Sequence, residues 1–187
     1  MNFEAQKLIG VNSKLGANMV AQGQPTQRLI YDTVTESIPA GGTATFRFFS
    51  ETANKPLAES NLQEGFLDNG ESLVIKSINF INDEEDFDAG TFGVFSIIVG
   101  NQEVVKKLPL PIFNPFEYHV ENLVTASTTA TGDTTIYSAR LITDIVIPPE
   151  TTFEVQLKIY SSSAAPDTVI KCGIQGLGVL FNPNTAL

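Results

Sequence analysis

Short runs of alternating apolar and polar residues, separated by turn-forming residues, most strongly constrain what this chain can fold into. The clearest run spans residues 153–160, where Phe, Val, Leu and Ile occupy one face and Glu, Gln and Lys the other. A period of two residues is typical of a β-strand with one buried face. The strand-helix alternation of a parallel α/β sheet is missing. The sequence therefore predicts an all-β protein.

The chain offers eight or nine strand candidates, and two local features are specific. Gly100-Asn101 separates two β-rich runs, which indicates a hairpin. The pattern over residues 73–81 changes phase, which predicts a bulge within that strand. A short helix is expected over residues 55–62. Further strands are predicted at residues 29–38, 43–49, 116–124, 136–147 and 169–181.

One sequence pattern recurs at irregular distances. An apolar residue ends a strand, a turn of Pro, Gly or acidic residues follows, and an alternating strand begins. The pattern starts at Ile38, recurs at Ile147, and has a looser third copy at Leu67. Such a corner keeps the apolar residue in the core while the chain crosses to the opposite sheet. The recurrence predicts a single jelly-roll β-sandwich of about eight strands in two antiparallel sheets.

Charge and composition restrict the partners. Charged residues make up 17% of the chain and the formal net charge is −10, whereas an average protein has roughly 25% charged residues. Either neighbouring subunits cover part of the surface, or Ser, Thr, Asn and Gln solvate it. Lys106-Lys107 is the densest basic spot. Because nucleic-acid binding requires clustered cations, no sequence-specific nucleic-acid binding is expected.

The N-terminal segment differs from the rest of the chain. Residues 1–27 are rich in Asn, Gln, Gly and Ser and show no strand alternation. They are interpreted as an irregular arm that a neighbouring subunit orders, or as a frayed terminus. The jelly-roll domain is assigned to residues 28–187. No signal-peptide pattern is apparent, and no apolar run approaches the ~18 residues of a membrane span.

Catalytic and metal-binding patterns are scarce. The chain has one His, His119, and one Cys, Cys172, which lies in an apolar run and is expected to be a core thiol. Residues 173–178 lack the dinucleotide-binding spacing and are expected to form a glycine-rich closing strand. The acidic residues 83–88 are interpreted as a solvated loop, with Ca²⁺ binding as the alternative. We expect no enzyme activity, no cofactor and no metal.

Three segments in the front half of the domain carry a resemblance to a known family. They are the corner and Phe-rich strand at residues 38–49, the link KPLAESNL at residues 55–62, and the strand at residues 70–78. Their order resembles jelly-roll capsid proteins of icosahedral bacteriophages. The resemblance implies a virion structural protein made in the host cytoplasm. It would pack as trimers or pentamers with itself and with other capsid proteins, as a major, vertex or decoration subunit.

The expected interface combines the arm with an apolar segment that contains several prolines. The Pro/Phe segment cannot be central sheet, because proline lacks the N–H that a ladder requires. It is either a patch that a partner covers or a loop that caps the core. The expected interface residues are Phe3, Leu8, Leu15, Met19, Pro109, Pro111, Phe113, Pro115 and Phe116. The alternative functions are a β-sandwich module that binds carbohydrate or a receptor, and an enzyme on a jelly-roll scaffold.

Overall fold

The computed structural model describes residues 23–62, 65–68, 71–82, 92–109 and 135–181. These residues form eight β-strands and no helix, and none therefore belongs to a helix able to cross a membrane. The strands are β1 (Gly23–Ile38), β2 (Gly42–Phe48), β3 (Glu71–Asn82), β4 (Phe92–Val99), β5 (Gln102–Pro109), β6 (Thr135–Ile147), β7 (Phe153–Ser161) and β8 (Ala165–Phe181).

The strands form two four-stranded antiparallel sheets. Sheet A has the order β1-β8-β3-β6 and sheet B the order β2-β7-β4-β5. The first strand thus pairs with the eighth, the second with the seventh, the third with the sixth and the fourth with the fifth. A long hairpin wound into two facing sheets gives this pairing, which is the jelly-roll arrangement. The predicted fold class is confirmed.

The recurring corners lie where the chain changes sheets. Ile38 ends β1 in sheet A before β2 begins in sheet B, and Ile147 ends β6 in sheet A before β7 begins in sheet B. Both isoleucines are buried. Leu67, in the looser third copy, is also buried, and its carbonyl accepts the Glu150 N–H at 2.9 Å. The corner interpretation is therefore confirmed for its two clear copies.

A series of phenylalanine rings joins the two sheets. Phe48 of sheet B lies 5.9 Å from Phe80 of sheet A, and Phe80 lies 5.5 Å from Phe95 of sheet B, measured between ring centroids. All three rings are fully buried. Burying a side chain of this size contributes roughly 1.5–3 kcal/mol relative to exposure. The alternating pattern of the strands thus produces one core between the sheets.

Two local predictions are confirmed by the strand pairing. β4 and β5 form a hairpin around Gly100-Asn101. In β3 the register shifts between Ile75 and Ser77 against both neighbouring strands. Against β8, Lys76 is the extra residue of a bulge, whereas against β6 the extra residues lie in β6, between Arg140 and Ile145. Because the bulge changes the phase, the inward side chains are odd-numbered before it and even-numbered after it.

Three predictions have other outcomes. β1 begins at Gly23, six residues before the expected strand, because its first residues pair with the end of β8. Residues 55–62 do not form the expected helix; a turn closes from Pro56 to Glu59 and Ser60. The strand expected at residues 116–124, His119 and the acidic residues 83–88 lie outside the described residues. The division into an arm and a domain at residue 27 stays a prediction.

Candidate assembly interface

Of the nine predicted interface residues, the structure describes one. Pro109 is the last residue of β5, opposite Val94 of β4. Because β5 is the outer strand of sheet B, the proline does not remove a central ladder bond. The remaining eight lie outside the described residues: Phe3, Leu8, Leu15, Met19, Pro111, Phe113, Pro115 and Phe116.

The β5 edge is irregular and exposed. The strand has two register shifts against β4, each inserting one extra residue into β5. At the first of them Lys107 has a φ of 48°, and its N–H donates to the Ser96 hydroxyl at 3.0 Å. Lys106 and Lys107 are exposed, as are 46% of Val104 and 41% of Leu108. We call these four side chains the β5 edge.

These features disfavour strand addition at β5. Bulges twist an edge away from a partner strand, and lysine and proline disfavour its continuation into another sheet. The edge nevertheless presents two apolar side chains beside two ammonium groups. It is therefore suited to contacts through side chains rather than through a shared β-ladder.

The β1 edge of sheet A is covered by residues 55–62, which we call the strap. The Asn61 side chain accepts the Tyr31 N–H at 2.8 Å and donates to the Leu29 carbonyl at 2.9 Å. The Asn61 N–H and the Ser60 hydroxyl both donate to the Tyr31 carbonyl, at 3.3 and 3.2 Å. The strap thus satisfies outward backbone groups of β1 that a partner strand would otherwise bind.

A buried carboxylate anchors the strap. Asp32 has no exposed surface; its carboxylate accepts the Phe49 N–H at 2.8 Å and the Lys55 ammonium at 2.8 Å. The same ammonium donates to the Thr33 carbonyl at 2.8 Å. A buried charge is tolerated when it is paired and hydrogen-bonded, and removal of one partner is costly. Asp32 therefore connects β1, the end of β2 and the strap.

The outer surface around the strap is acidic and partly apolar. Leu57 is 69% exposed. Glu59 lies in the strap, and its carbonyl accepts the Thr33 hydroxyl at 3.0 Å. Lys171 lies nearby, with its ammonium 5.4 Å from the Tyr31 ring centroid. Four exposed carboxylates accompany Leu57: Glu59 is in the strap, Glu51 precedes it in the chain, Glu36 follows Thr33 along β1, and the Asp167 N–H donates to the Ser37 hydroxyl next to Glu36. We call these five residues the strap edge: Glu36, Glu51, Leu57, Glu59 and Asp167.

The two surfaces lie at opposite sides of the sandwich. β1 packs over β2, and β5 is three strands away from β2 in sheet B. At about 4.8 Å per strand the separation is roughly 14 Å. The difference in charge between the two surfaces is local: the β5 edge carries two exposed lysines, and the strap edge carries four exposed carboxylates.

The described residues contain no group of three or more His, Cys, Asp or Glu side chains able to hold a metal ion. Cys172 is fully buried, as the sequence predicts. Burial is the main cause that raises the pKa of the Cys172 thiol well above its ordinary value of 9.0, and the negative charge of Asp32 is the second cause. The thiol is therefore protonated and inert at neutral pH.

Sequence reasoning missed the strap and the exposed carboxylates of the strap edge. The Lys106-Lys107 pair was visible in the sequence, but its position on an outer strand was not. The polar segment at residues 55–62 was visible as a link and interpreted as helical. Its hydrogen bonds are with residues about 30 positions away in the chain, which no local pattern reveals.

Comparisons with known proteins yield structural neighbours. No family model and no curated protein matches the chain. A structure of infectious bursal disease virus, Gx strain, has 15% sequence identity and a TM-score of 0.38. A mutant VP2 protein of the same virus, in derived T=1 particles, has 14% identity and a TM-score of 0.25. Each match covers 87% of this chain, which spans 33% and 42% of the two viral chains.

Proposed function

We propose that this chain is a structural protein of a virus particle, a capsid subunit that assembles with copies of itself. The observation that carries the proposal is the pair of exposed, partly apolar edges on a jelly-roll sandwich. Three of the large apolar side chains exposed among the described residues, Leu57, Val104 and Leu108, lie on these edges. Exposed apolar groups that cluster at a rim mark surfaces that partners cover.

The two edges also limit uncontrolled strand pairing at two of the four outer strands, β1 and β5. A sandwich has open strand edges that favour uncontrolled pairing. Here the strap covers β1, and bulges with lysines interrupt β5. Assembly through side chains permits a closed particle, whereas strand addition at open edges continues without limit.

The finer parts of the proposal rest on the sequence. The resemblance of residues 38–78 supports a bacteriophage virion, in trimers or pentamers. The arm at residues 1–27 and the Pro/Phe segment would supply further contacts. We propose no enzyme activity, since the one cysteine is a core thiol and the chain has a single histidine.

A carbohydrate-binding module is the competing reading of the fold. Such modules stack sugars on exposed aromatic rings. Among the described residues Tyr160, at 40% exposure, is the one large aromatic side chain that is exposed, and the chain has no Trp. This composition favours the structural role.

The test is the solution mass of the purified full chain over a concentration series, by light scattering, with negative-stain imaging of the same samples. Trimers, pentamers or shells are expected. A strict monomer at every concentration, together with absence of the chain from purified particles, would contradict the proposal and favour a binding module.

A further inference from the structure

We infer that copies of this chain meet head to tail, with the β5 edge of one copy against the strap edge of the next. The inference rests on the proposed function and specifies the surfaces involved. The occupant of each edge is thus a second copy of the same chain.

The first argument is charge complementarity. The β5 edge presents Lys106 and Lys107, two exposed cations against the one exposed carboxylate of the strand, Glu103, and neither lysine has an ion-pair partner in the described part of the chain. The strap edge presents exposed carboxylates, including Glu36 and Glu59. Within one molecule these charges are farther apart than the screening length of about 8 Å at physiological salt, so they hardly attract each other. Across a contact between copies they would come within range.

The second argument is that both surfaces contain apolar side chains beside the charges. Val104 and Leu108 flank the lysines of the β5 edge, and Leu57 projects from the strap. Exposed ion pairs contribute little affinity by themselves, and mainly select the partner and its orientation. Burial of the apolar side chains would supply the attraction, while the charges set the register.

The third argument concerns symmetry. Two β5 edges facing each other would bring lysines together, and two strap edges would bring carboxylates together. The favourable contact joins unlike surfaces and is heterologous. Heterologous contacts close into rings when the rotation between copies allows it. This geometry agrees with the proposed trimers or pentamers, and not with a two-fold dimer.

The test uses three variants with reversed charges: one on the β5 edge, one on the strap edge, and one on both edges together. In the β5 variant, Lys106→Glu and Lys107→Glu place carboxylates on both edges, and the formal charge falls from −10 to −14. In the strap variant, Glu36→Lys and Glu59→Lys place ammonium groups on both edges, and the charge rises to −6. The variant with all four substitutions restores unlike edges and returns the charge to −10.

We expect each double variant to require at least about tenfold higher concentration for assembly, because like charges then face each other. The fourfold variant should assemble like the wild type. A control, Arg47→Glu with Lys158→Glu, applies the same change in charge to exposed residues on the outer face of sheet B; it also removes the ion pair of Arg47 with Glu154, at 3.8 Å, which contributes little because Arg47 is largely exposed. It should leave assembly unchanged. Circular dichroism and thermal melting establish that every variant is folded.

The outcomes separate the inference from the proposed function. A wild type that is monomeric throughout contradicts the proposed function. A wild type that assembles, with double variants that assemble equally well or a fourfold variant that fails to recover, overturns the inference alone. Loss of assembly in the control would also overturn it, since a general effect of charge would then explain the result.

Discussion

At the scale of residues, glycine determines how closely β8 approaches β3. β8 is a strand, as the glycine-rich pattern at residues 173–178 predicts, and the sheet topology places it between β1 and β3. A Cβ on Gly176 would lie 2.0 Å from the Val74 carbonyl oxygen, beside the bulge at Lys76. A Cβ on Gly173 would meet only Leu29 Cδ1, at 3.7 Å. The same residue type thus has a strict packing role at one position and a minor role at the other.

Gly176→Ala should therefore destabilise the fold by about 3 kcal/mol, because the contact is with backbone that cannot rotate away. Gly173→Ala, on the same strand, should change the free energy of unfolding by less than about 1 kcal/mol. Urea denaturation followed by circular dichroism measures both. Equal midpoints for the two variants would contradict the close approach.

Because of Cys172, the free energy of unfolding depends on pH in the alkaline range. Its pKa in the folded protein is raised above 9.0, so the folded state keeps a proton that the unfolded state releases above that pH. The contribution is fully present below pH 9.0 and is lost as the pH rises beyond it. Cys172→Ala should lower stability at pH 7 through the cavity it leaves, but should flatten the decline above about pH 9.

The free energy of unfolding should be measured from about pH 7 to pH 10.5 in the wild type and in Cys172→Ala. Other groups also titrate in this range, so the difference between the two proteins at each pH isolates the contribution of the thiol. A thiol-reactive dye at neutral pH provides a second observation, and should label only unfolded chains. Rapid labelling of the folded protein would show that the thiol is accessible.

At the scale of elements, the strap protects the edge of β1. The Asn61 side chain supplies two hydrogen bonds to β1, to Tyr31 and Leu29, while its backbone N–H supplies a third. The strap performs for β1 the role that a neighbouring strand performs for β8. Its irregular form follows from this role, because one side chain satisfies groups that a strand would bind with its backbone.

Asn61→Ala should lower stability by about 1–2 kcal/mol, since two side-chain hydrogen bonds are lost. It should also speed hydrogen exchange of the Tyr31 amide and increase aggregation at high concentration, because part of the β1 edge becomes open. Gln27→Ala, an exposed position in the same strand, is the control and should leave stability, hydrogen exchange at Tyr31 and aggregation unchanged. Unchanged exchange at Tyr31 in Asn61→Ala would show that the strap does not depend on this side chain.

At the scale of the whole molecule, the fold depends on pairings between distant parts of the chain. β8, the last strand, lies between β1 and β3, and its register with β1 extends from Gly23 with Phe181 to Ile38 with Ala165. Such pairings carry a large loop-closure cost and slow folding. Sheet A, in which β8 separates β1 from β3, is therefore incomplete until the final strand is in place.

A fragment of residues 1–161, which lacks β8, should not fold, because β1 and β3 lose their shared neighbour. Far-UV circular dichroism and dispersion of amide NMR signals measure this. Addition of a peptide of residues 162–187 should restore some strand signal, and a peptide with the same composition in scrambled order should not. A fragment that unfolds cooperatively without the peptide would contradict the central role of β8.

The sequence by itself determined the strand class, the corners at Ile38 and Ile147, the hairpin at Gly100-Asn101 and the bulge in β3. These features depend on the two-residue period and on turn residues, which act between near neighbours. The two-sheet interpretation followed from the corners. The buried position of Cys172 followed from the apolar run around it.

Only the tertiary structure decided the beginning of β1 at Gly23, the strap on Tyr31, and the opposite positions of the acidic and basic edges. The physical reason is that each depends on contacts between residues far apart in the chain. Polar residues at the start of β1 become strand because β8 supplies their partners. Lys106 and Glu59 belong to two oppositely charged edges only because the winding of the sheets places them at opposite sides of the sandwich.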